Sequence, residues 1–192
     1  TIAITEPAAM SATFVNVDAT DSIIANGSID LTITGGTPCI TNASVACPLL
    51  GGNGQGGNAF NVINTSASPL TITGFSQGPV FPNAAGTGTL EVFSAGGDYL
   101  SSPVWTSEGS GPVNLTAGAA TGYVGVSVVI PAGGTMGFWV GLQVGTVQYT
   151  NGTGIPGVST WGSDANITVT EGHGGTYPTG MQFSPRNWNG TV

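Results

Sequence analysis

The sequence contains no lysine and only one arginine, Arg186, against nine acidic residues, which gives a formal net charge of −8. Nucleic-acid binding needs clustered Lys or Arg side chains to neutralise phosphates, so this composition excludes a nucleic-acid partner. A polybasic contact with anionic lipid is excluded for the same reason. Because only 5% of the residues are charged, Ser, Thr, Asn and Gly have to hydrate the surface. Cytosolic proteins usually use Lys and Glu for this purpose, so the composition favours an extracellular or cell-surface protein.

Cysteine is also scarce, with Cys39 and Cys47 alone, each beside a proline in TPCITNASVACPLL. A metal site would need two further ligands, and the only histidine, His173, is distant in the chain. The spacing instead predicts a disulfide between the two cysteines, and with it an oxidising compartment. Closing so short a loop would contribute about 2–3 kcal/mol.

Long helices and long apolar runs are missing as well, because 33 Gly and 12 Pro interrupt the chain. The longest uncharged stretch, 121–145, is broken by Pro131, Gly133 and Gly134, so we expect no membrane span. No signal-type segment precedes Thr1, and we therefore expect a processed, exported chain.

Short blocks rich in Val, Ile, Thr and Phe recur at intervals of roughly ten residues between Gly/Pro turns. This pattern predicts an all-β protein, an antiparallel β-sandwich of jelly-roll or Ig-like type with an N-terminal strand extension. GYVGVSVVI and MGFWVGLQV, separated by PAGGT, are predicted to form a hairpin. We place a boundary in the glycine run 51–57. Residues 1–56 then form the extension with the cysteine loop and 57–192 the sandwich, either separately or packed as one domain.

Enzymatic motifs are scarce: the sequence contains no HExxH helix or phosphate-binding loop, and its one GxSxG match, GFSQG (74–78), lies at the end of the strand-like block PLTITGFS. His173 follows Glu171 by two residues, but its neighbours are glycines, and the pattern predicts a loop histidine. No two carboxylates form a close pair suited to glycoside hydrolysis. We therefore expect a protein that is not an enzyme and has no cofactor.

Tryptophans and acidic turn fragments can each be considered as ligand sites, for sugars and for calcium. Trp105 and Trp161, flanked by Ser, Thr and Gly, are candidates for an exposed platform that stacks on sugars, whereas Trp139 on an apolar strand is expected in the core. Fragments resembling calcium loops supply too few oxygens for a metal and are expected to cap turns. These fragments are Asp18 with Asp21 and Asp164 with Asn166.

Arg186 is expected to form a structural ion pair with a carboxylate, for which Glu91, Glu108 and Glu171 are candidates. Seven Asn-x-Ser/Thr sequons are candidates for glycan attachment. They begin at Asn26, Asn42, Asn64, Asn114, Asn151, Asn166 and Asn189.

Five segments carry a resemblance to a known kind of module, and the last is its best marker: GNAFNVIN (57–64), VIPAGGTMGFWV (129–140), YTNGT (149–153), SDANITVTEGHGGTYPTG (163–180) and FSPRNWNGTV (183–192). From about Gly57 onward the chain resembles a β-sandwich module of secreted, surface-attached bacterial proteins. The resemblance covers about 135 residues and implies a stalk, adhesion or packing role without catalysis.

Without lysine, Lys–Asn isopeptide bonds cannot form, so a polymer would be held by backbone pairing, packing or disulfides. The N-terminal residues Ile2, Ile4, Phe14 and Val15 lie on two strand-like stretches that could complete the sheet of a neighbouring copy as a donor strand. The alternative is that this segment folds back on its own sheet. We therefore predict a secreted structural subunit of an extracellular filament, a homopolymer. The competing prediction is a monomeric carbohydrate-binding or adhesion module.

Overall fold

The structure, a computed structural model, describes residues 11–17, 28–34, 42–78 and 86–192. Fifteen strands and no helix occur in these residues. No helix capable of crossing a membrane is therefore found there. The strands are β1 (Ser11–Val17), β2 (Ser28–Thr34), β3 (Gly52–Gln55), β4 (Gly57–Asn64), β5 (Leu70–Gln77), β6 (Gly86–Gly96), β7 (Thr106–Leu115), β8 (Val124–Ile130), β9 (Thr135–Leu142), β10 (Val147–Asn151), β11 (Thr160–Ser163), β12 (Ile167–Thr170), β13 (Gly172–Gly175), β14 (Phe183–Trp188) and β15 (Gly190–Thr191).

The chain divides into two compact units, Thr1–Ala43 and Ser44–Val192. The division lies earlier than residue 56, where we placed the boundary. The glycine run 51–57 does not act as a hinge between units, because it forms β3 and the start of β4. Gly51 and Gly52 have φ values of +66° and +99°, which a glycine adopts without strain, and they turn the chain into β3.

The smaller unit contains a two-stranded antiparallel hairpin of β1 and β2. In its register Ala12 is opposite Ile33, Phe14 is opposite Leu31, and Val15 is opposite Asp30. Because alternate residues of a strand share a face, apolar and polar positions of the two strands alternate in step. The register of the hairpin therefore puts most of its apolar residues at positions of one face and most of its polar residues at positions of the other.

The larger unit consists of a ten-stranded sheet and a three-stranded sheet. The main path of the large sheet is β3-β10-β14-β13-β4-β9-β6-β7, with β12 added to β4 and β11 to β12. The small sheet has the order β15-β5-β8. Its β15 edge is covered by the segment before β3, since the backbones of Val45 and Val192 exchange two hydrogen bonds of 2.8 and 3.1 Å. All these named strand pairs are antiparallel, and the arrangement is the predicted β-sandwich.

The core of the larger unit lies between the two sheets. Trp188 stacks on Phe60 at a centroid distance of 4.6 Å, and Phe75 meets Trp188 edge-on at 5.7 Å. The indole N–H of Trp188 donates to Oε1 of buried Gln77 at 2.8 Å, so the polar atom of this large side chain is satisfied inside the core. Leu90 and Val92 on β6 point into this core. Because side chains alternate along a strand, Glu91 between them points to the other face of the sheet.

The predicted hairpin of GYVGVSVVI and MGFWVGLQV is wrong. Its first half, β8, pairs with β5 in the small sheet, whereas the second half, β9, pairs with β4 and β6 in the large sheet. The intervening turn is closed by a 2.9 Å hydrogen bond from the Gly134 N–H to the Pro131 carbonyl. Gly133, with φ of +65°, reverses the chain between sheets, because both strands bury apolar residues in the same core.

Candidate functional site

Aromatic side chains gather on the face of the large sheet that points away from the main core. Trp139 on β9 is fully buried there in a small cluster, against which the half-buried side chains of Phe93, Trp105 and Tyr177 pack. We call these four residues the aromatic face. Phe93 comes from β6 and is directly opposite Trp139 in the register, so neighbouring strands position the two rings.

Within the aromatic face the rings of Phe93, Trp139 and Tyr177 contact one another, edge to face at Trp139 and tilted between Phe93 and Tyr177. Centroid distances are 5.8 Å for Phe93–Trp139, 5.8 Å for Trp139–Tyr177 and 6.3 Å for Phe93–Tyr177. Glycine makes room for the indole of Trp139. A Cβ on Gly57 or Gly141 would lie 2.4 or 2.5 Å from its ring atoms. The missing side chains therefore allow Trp139 to lie flat against the sheet.

A buried carboxylate, that of Glu91, borders the aromatic face. Its Oε1 accepts a hydrogen bond from Ser107 Oγ at 2.6 Å. Its Oε2 accepts from Gln143 Nε2 at 2.8 Å and from the Tyr177 hydroxyl at 2.7 Å. Burial raises the pKa of Glu91, but the three hydrogen bonds lower it, and the net pKa is below that of an ordinary glutamate. The hydrogen bond to Glu91 in turn raises the pKa of Tyr177. Glu91 is therefore ionised at neutral pH and Tyr177 keeps its proton.

Tyr99 and His173 form a second polar contact on the same side of the sheet. The Tyr99 hydroxyl lies 2.8 Å from His173 Nδ1, and its backbone N–H donates to Asn61 Oδ1 at 3.1 Å. Burial raises the pKa of the Tyr99 phenol, with a further contribution from Asp98, whereas burial lowers the pKa of His173. Burial therefore favours the neutral imidazole of His173, which shares one hydrogen bond with the Tyr99 hydroxyl. Glu171 has a separate partner, because its Oε2 accepts from the Gly154 N–H at 2.8 Å.

The predicted tryptophan platform is not assembled as expected. Trp105 packs on the aromatic face, whereas Trp161 packs against the main core and donates its indole N–H to the Trp188 carbonyl at 2.8 Å. The two indoles belong to different clusters, so they cannot stack on one sugar together. Trp139 is buried as expected, in a second core cluster on the outer face of the large sheet.

The predicted ion pair of Arg186 is not found in the described part of the chain. Its Nη1 donates to the Pro185 carbonyl at 2.7 Å, and its Nε has no hydrogen-bond partner there. The guanidinium lies over the rings of Tyr149 and Phe183, 5.8 and 5.9 Å from their centroids. The carboxylates of Glu91, Glu108 and Glu171 instead accept from uncharged donors. Aromatic rings thus take the place of the expected carboxylate.

Of the predicted disulfide and donor-strand residues, only some fall in the described structure. Cys39, Ile2 and Ile4 lie outside the described residues. Cys47 is a buried thiol without a disulfide partner among the residues described, and burial raises its pKa to about 12. Phe14 and Val15 lie on β1, which is paired with β2 of the same chain. The strand predicted to be donated is therefore half of a hairpin.

The candidate glycan-attachment sites fall into two groups. Asn64 and Asn189 are fully buried, so their side chains cannot carry a glycan in the folded protein. Asn26 lies outside the described residues. The exposed sequons are those of Asn42, Asn114, Asn151 and Asn166.

The calcium-like fragments behave as turns where they can be followed. Asp164 Oδ1 accepts from the backbone N–H groups of Asn166 and Ile167 at 2.7 and 2.8 Å, which caps the turn before β12. Asp18 and Asp21 lie outside the described residues. Across the ranges the structure describes, no group of three or more His, Cys, Asp or Glu side chains is arranged to hold a metal.

Sequence reasoning missed the aromatic face as a unit. A sequence signal for it exists in GTLEVFSAG. Leu90 and Val92 there alternate with Glu91 and Phe93, which predicts a strand that packs against other residues on both faces of the sheet. Tyr177 and Gln143 lie outside strands, and no local pattern predicts that they meet Glu91.

Comparisons of the chain with protein families, with curated proteins and with solved structures find no match.

Proposed function

We propose that the protein is a non-catalytic subunit of an extracellular filament or surface assembly, in which the N-terminal hairpin of one copy adds to the sandwich of the next. The observation that carries the proposal is the separate two-stranded unit formed by β1 and β2. A hairpin of two strands is marginally stable in water, and a third strand or a packing surface stabilises it. A second copy of the chain supplies such a surface.

The larger unit supports this role because its core is built from its own residues. The main core cluster of the described residues draws all its members from Val45–Val192. Trp188 and Phe60 at its centre are fully buried. A sandwich that closes its own core does not need the hairpin to complete that core.

Strand edges of the larger unit differ in how well they could accept a hairpin. The edge strand β7 carries Glu108 and Pro112, both of which discourage further pairing. The edge strands β3 and β11 have only four residues each. On β8, the outer strand of the small sheet, Val129 is 55% exposed between buried Val128 and Ile130. We therefore assign the second half of β8 as the acceptor edge.

A head-to-tail contact between hairpin and β8 uses two different surfaces of the chain. Such heterologous contacts form open filaments unless their rotation closes a ring. The lysine-free, Ser/Thr/Asn-rich composition and the resemblance of residues 57–192 to secreted modules support the extracellular location. Because this chain cannot form Lys–Asn isopeptide bonds, backbone pairing and apolar contacts hold neighbouring copies together.

Sedimentation velocity on point variants tests the proposal. Val15→Pro removes a backbone donor from β1 and should leave the protein monomeric, whereas Val15→Thr keeps the strand and should assemble as the wild type does. Val129→Lys on β8 should weaken assembly, and the control Val144→Lys, at a turn residue that is 83% exposed, should not. Assembly of the Val15→Pro variant at the wild-type level would refute the hairpin contact.

A further inference from the structure

The aromatic face combines partly exposed rings with polar groups that the fold holds in place. Phe93, Trp105 and Tyr177 are each half-buried, so part of each side chain remains accessible above buried Trp139. Ser107 and Gln143, at the border next to Glu91, are exposed. A packed group of aromatic rings beside fixed polar side chains is the usual composition of a small-ligand site.

The direction of the hydrogen bonds limits the chemistry of a ligand. Ser107, Gln143 and Tyr177 all direct a proton at Glu91. What remains for a ligand on the Ser107 and Tyr177 oxygens is lone-pair acceptor capacity, and the Gln143 amide keeps its carbonyl oxygen as an acceptor and one N–H as a donor. A ligand that fits these groups must bring several donors of its own.

Charge restricts the ligand further. Glu91 is ionised at neutral pH with uncharged partners, and the chain as a whole carries a formal charge of −8. Anionic groups such as carboxylates and sulfates would be repelled from this border. The rings of Phe93, Trp139 and Tyr177 pack against one another, with centroids 5.8–6.3 Å apart, and so offer a ligand a packed apolar surface.

From these observations we propose that the aromatic face with Glu91, Ser107 and Gln143 binds a neutral glycan. A pyranose ring has an apolar C–H face that packs on an aromatic ring and a rim of hydroxyl groups that donate hydrogen bonds. Trp105 and Phe93 supply the stacking surface, and the Glu91 border accepts from the sugar hydroxyls. The site lies on the large sheet and does not depend on the hairpin contact.

Affinity electrophoresis of the full chain tests this inference, using gels that contain a neutral β-glucan, xylan, mannan or galactan. We expect retardation by at least one of them, and Trp105→Ala should weaken it at least tenfold. Trp161→Phe, on the other side of the sheet, serves as the matched control and should bind as the wild type does. Gln143→Ala should also weaken binding, and because it removes a hydrogen bond to Glu91 it should lower the unfolding midpoint about as much as Tyr177→Phe does.

Other results would overturn the site. Migration unaffected by all four neutral polysaccharides would refute it, as would equal retardation of the wild type and Trp105→Ala. Stronger retardation by polygalacturonate than by any neutral polymer would contradict the charge argument. The Val15→Pro variant should bind glycan normally, so failure of the glycan site and failure of the assembly contact can be told apart.

Discussion

The Tyr177 hydroxyl donates a 2.7 Å hydrogen bond to Glu91 Oε2, and this contact joins the segment after β13 to the middle of β6. The carboxylate also accepts from Ser107 and Gln143, so three chain segments converge on one buried charge. None of these donors is a cation. In a chain without lysine, hydroxyl and amide groups take over the role that ion pairs usually have in holding a buried carboxylate.

Tyr177→Phe removes one of the three donors from Glu91 while keeping the ring on the aromatic face. We expect the free energy of unfolding to fall by about 1–2 kcal/mol, because a hydrogen bond to a charged acceptor is lost. Denaturant unfolding measures the change. Tyr123→Phe, at a tyrosine that is 60% exposed, is the control and should leave stability unchanged. A loss of the same size in both variants would contradict the role of the Glu91 contact.

His173 makes stability depend on pH in a defined direction. Because burial lowers the pKa of His173 in the folded protein, the unfolded chain, with a pKa of about 6.5, takes up the proton first as pH falls. The free energy of unfolding should therefore be fully retained above about pH 6.5 and decrease below it. In His173→Gln the decrease between pH 7 and 5.5 should be smaller. Equal slopes for the two proteins in this interval would remove His173 as the cause.

Asn64 is a sequon asparagine with a structural role. Its Nδ2 lies 2.8–3.0 Å from the carbonyl oxygens of Ser68, Ile130 and Pro131, and so ties the end of β4 to the end of β8. Asn64→Ala should lower the free energy of unfolding by about 2–4 kcal/mol, since buried carbonyls lose their donor. Exposed Asn166 provides the matched control, and Asn166→Ala should change stability by less than about 0.5 kcal/mol. Comparable stability of the two variants in thermal and denaturant unfolding would refute this assignment.

Burial should also decide which sequons carry glycans, and glycopeptide mapping after expression in a host that N-glycosylates measures this. Glycans are expected only at the exposed sequons among those the structure describes, such as Asn114 and Asn166. Modification of Asn64 or Asn189 in folded, soluble protein would contradict their burial.

The strand content of this protein follows from its sequence, because apolar alternation between Gly/Pro turns is a local signal. β13 shows where that signal fails. Its sequence GHGG has little strand propensity, yet the segment pairs with β4, and a Cβ on Gly172 would lie 1.9 Å from the Ala59 carbonyl oxygen. Glycine is used here for close backbone approach, which a single sequence does not distinguish from a flexible loop.

Contacts between residues far apart in the sequence are the reason why the candidate site could not be predicted from the sequence. The role of Glu91 depends on Tyr177, which is distant in sequence, and the placement of Arg186 over Tyr149 replaces a carboxylate that charge counting favoured. The assignment of β8 and β9 to different sheets has the same origin. The turn at 131–134 is compatible with a hairpin or with a crossing between sheets, and only burial of Ile130 and Phe138 in a common core decides between them.

Negative-stain microscopy of the purified full chain, beside a variant that begins at Ser44, tests the central claim most directly. Assembly through the N-terminal hairpin predicts threads for the full chain and single particles for the truncated one. Single particles in both preparations, or threads that persist without residues 1–43, would contradict it.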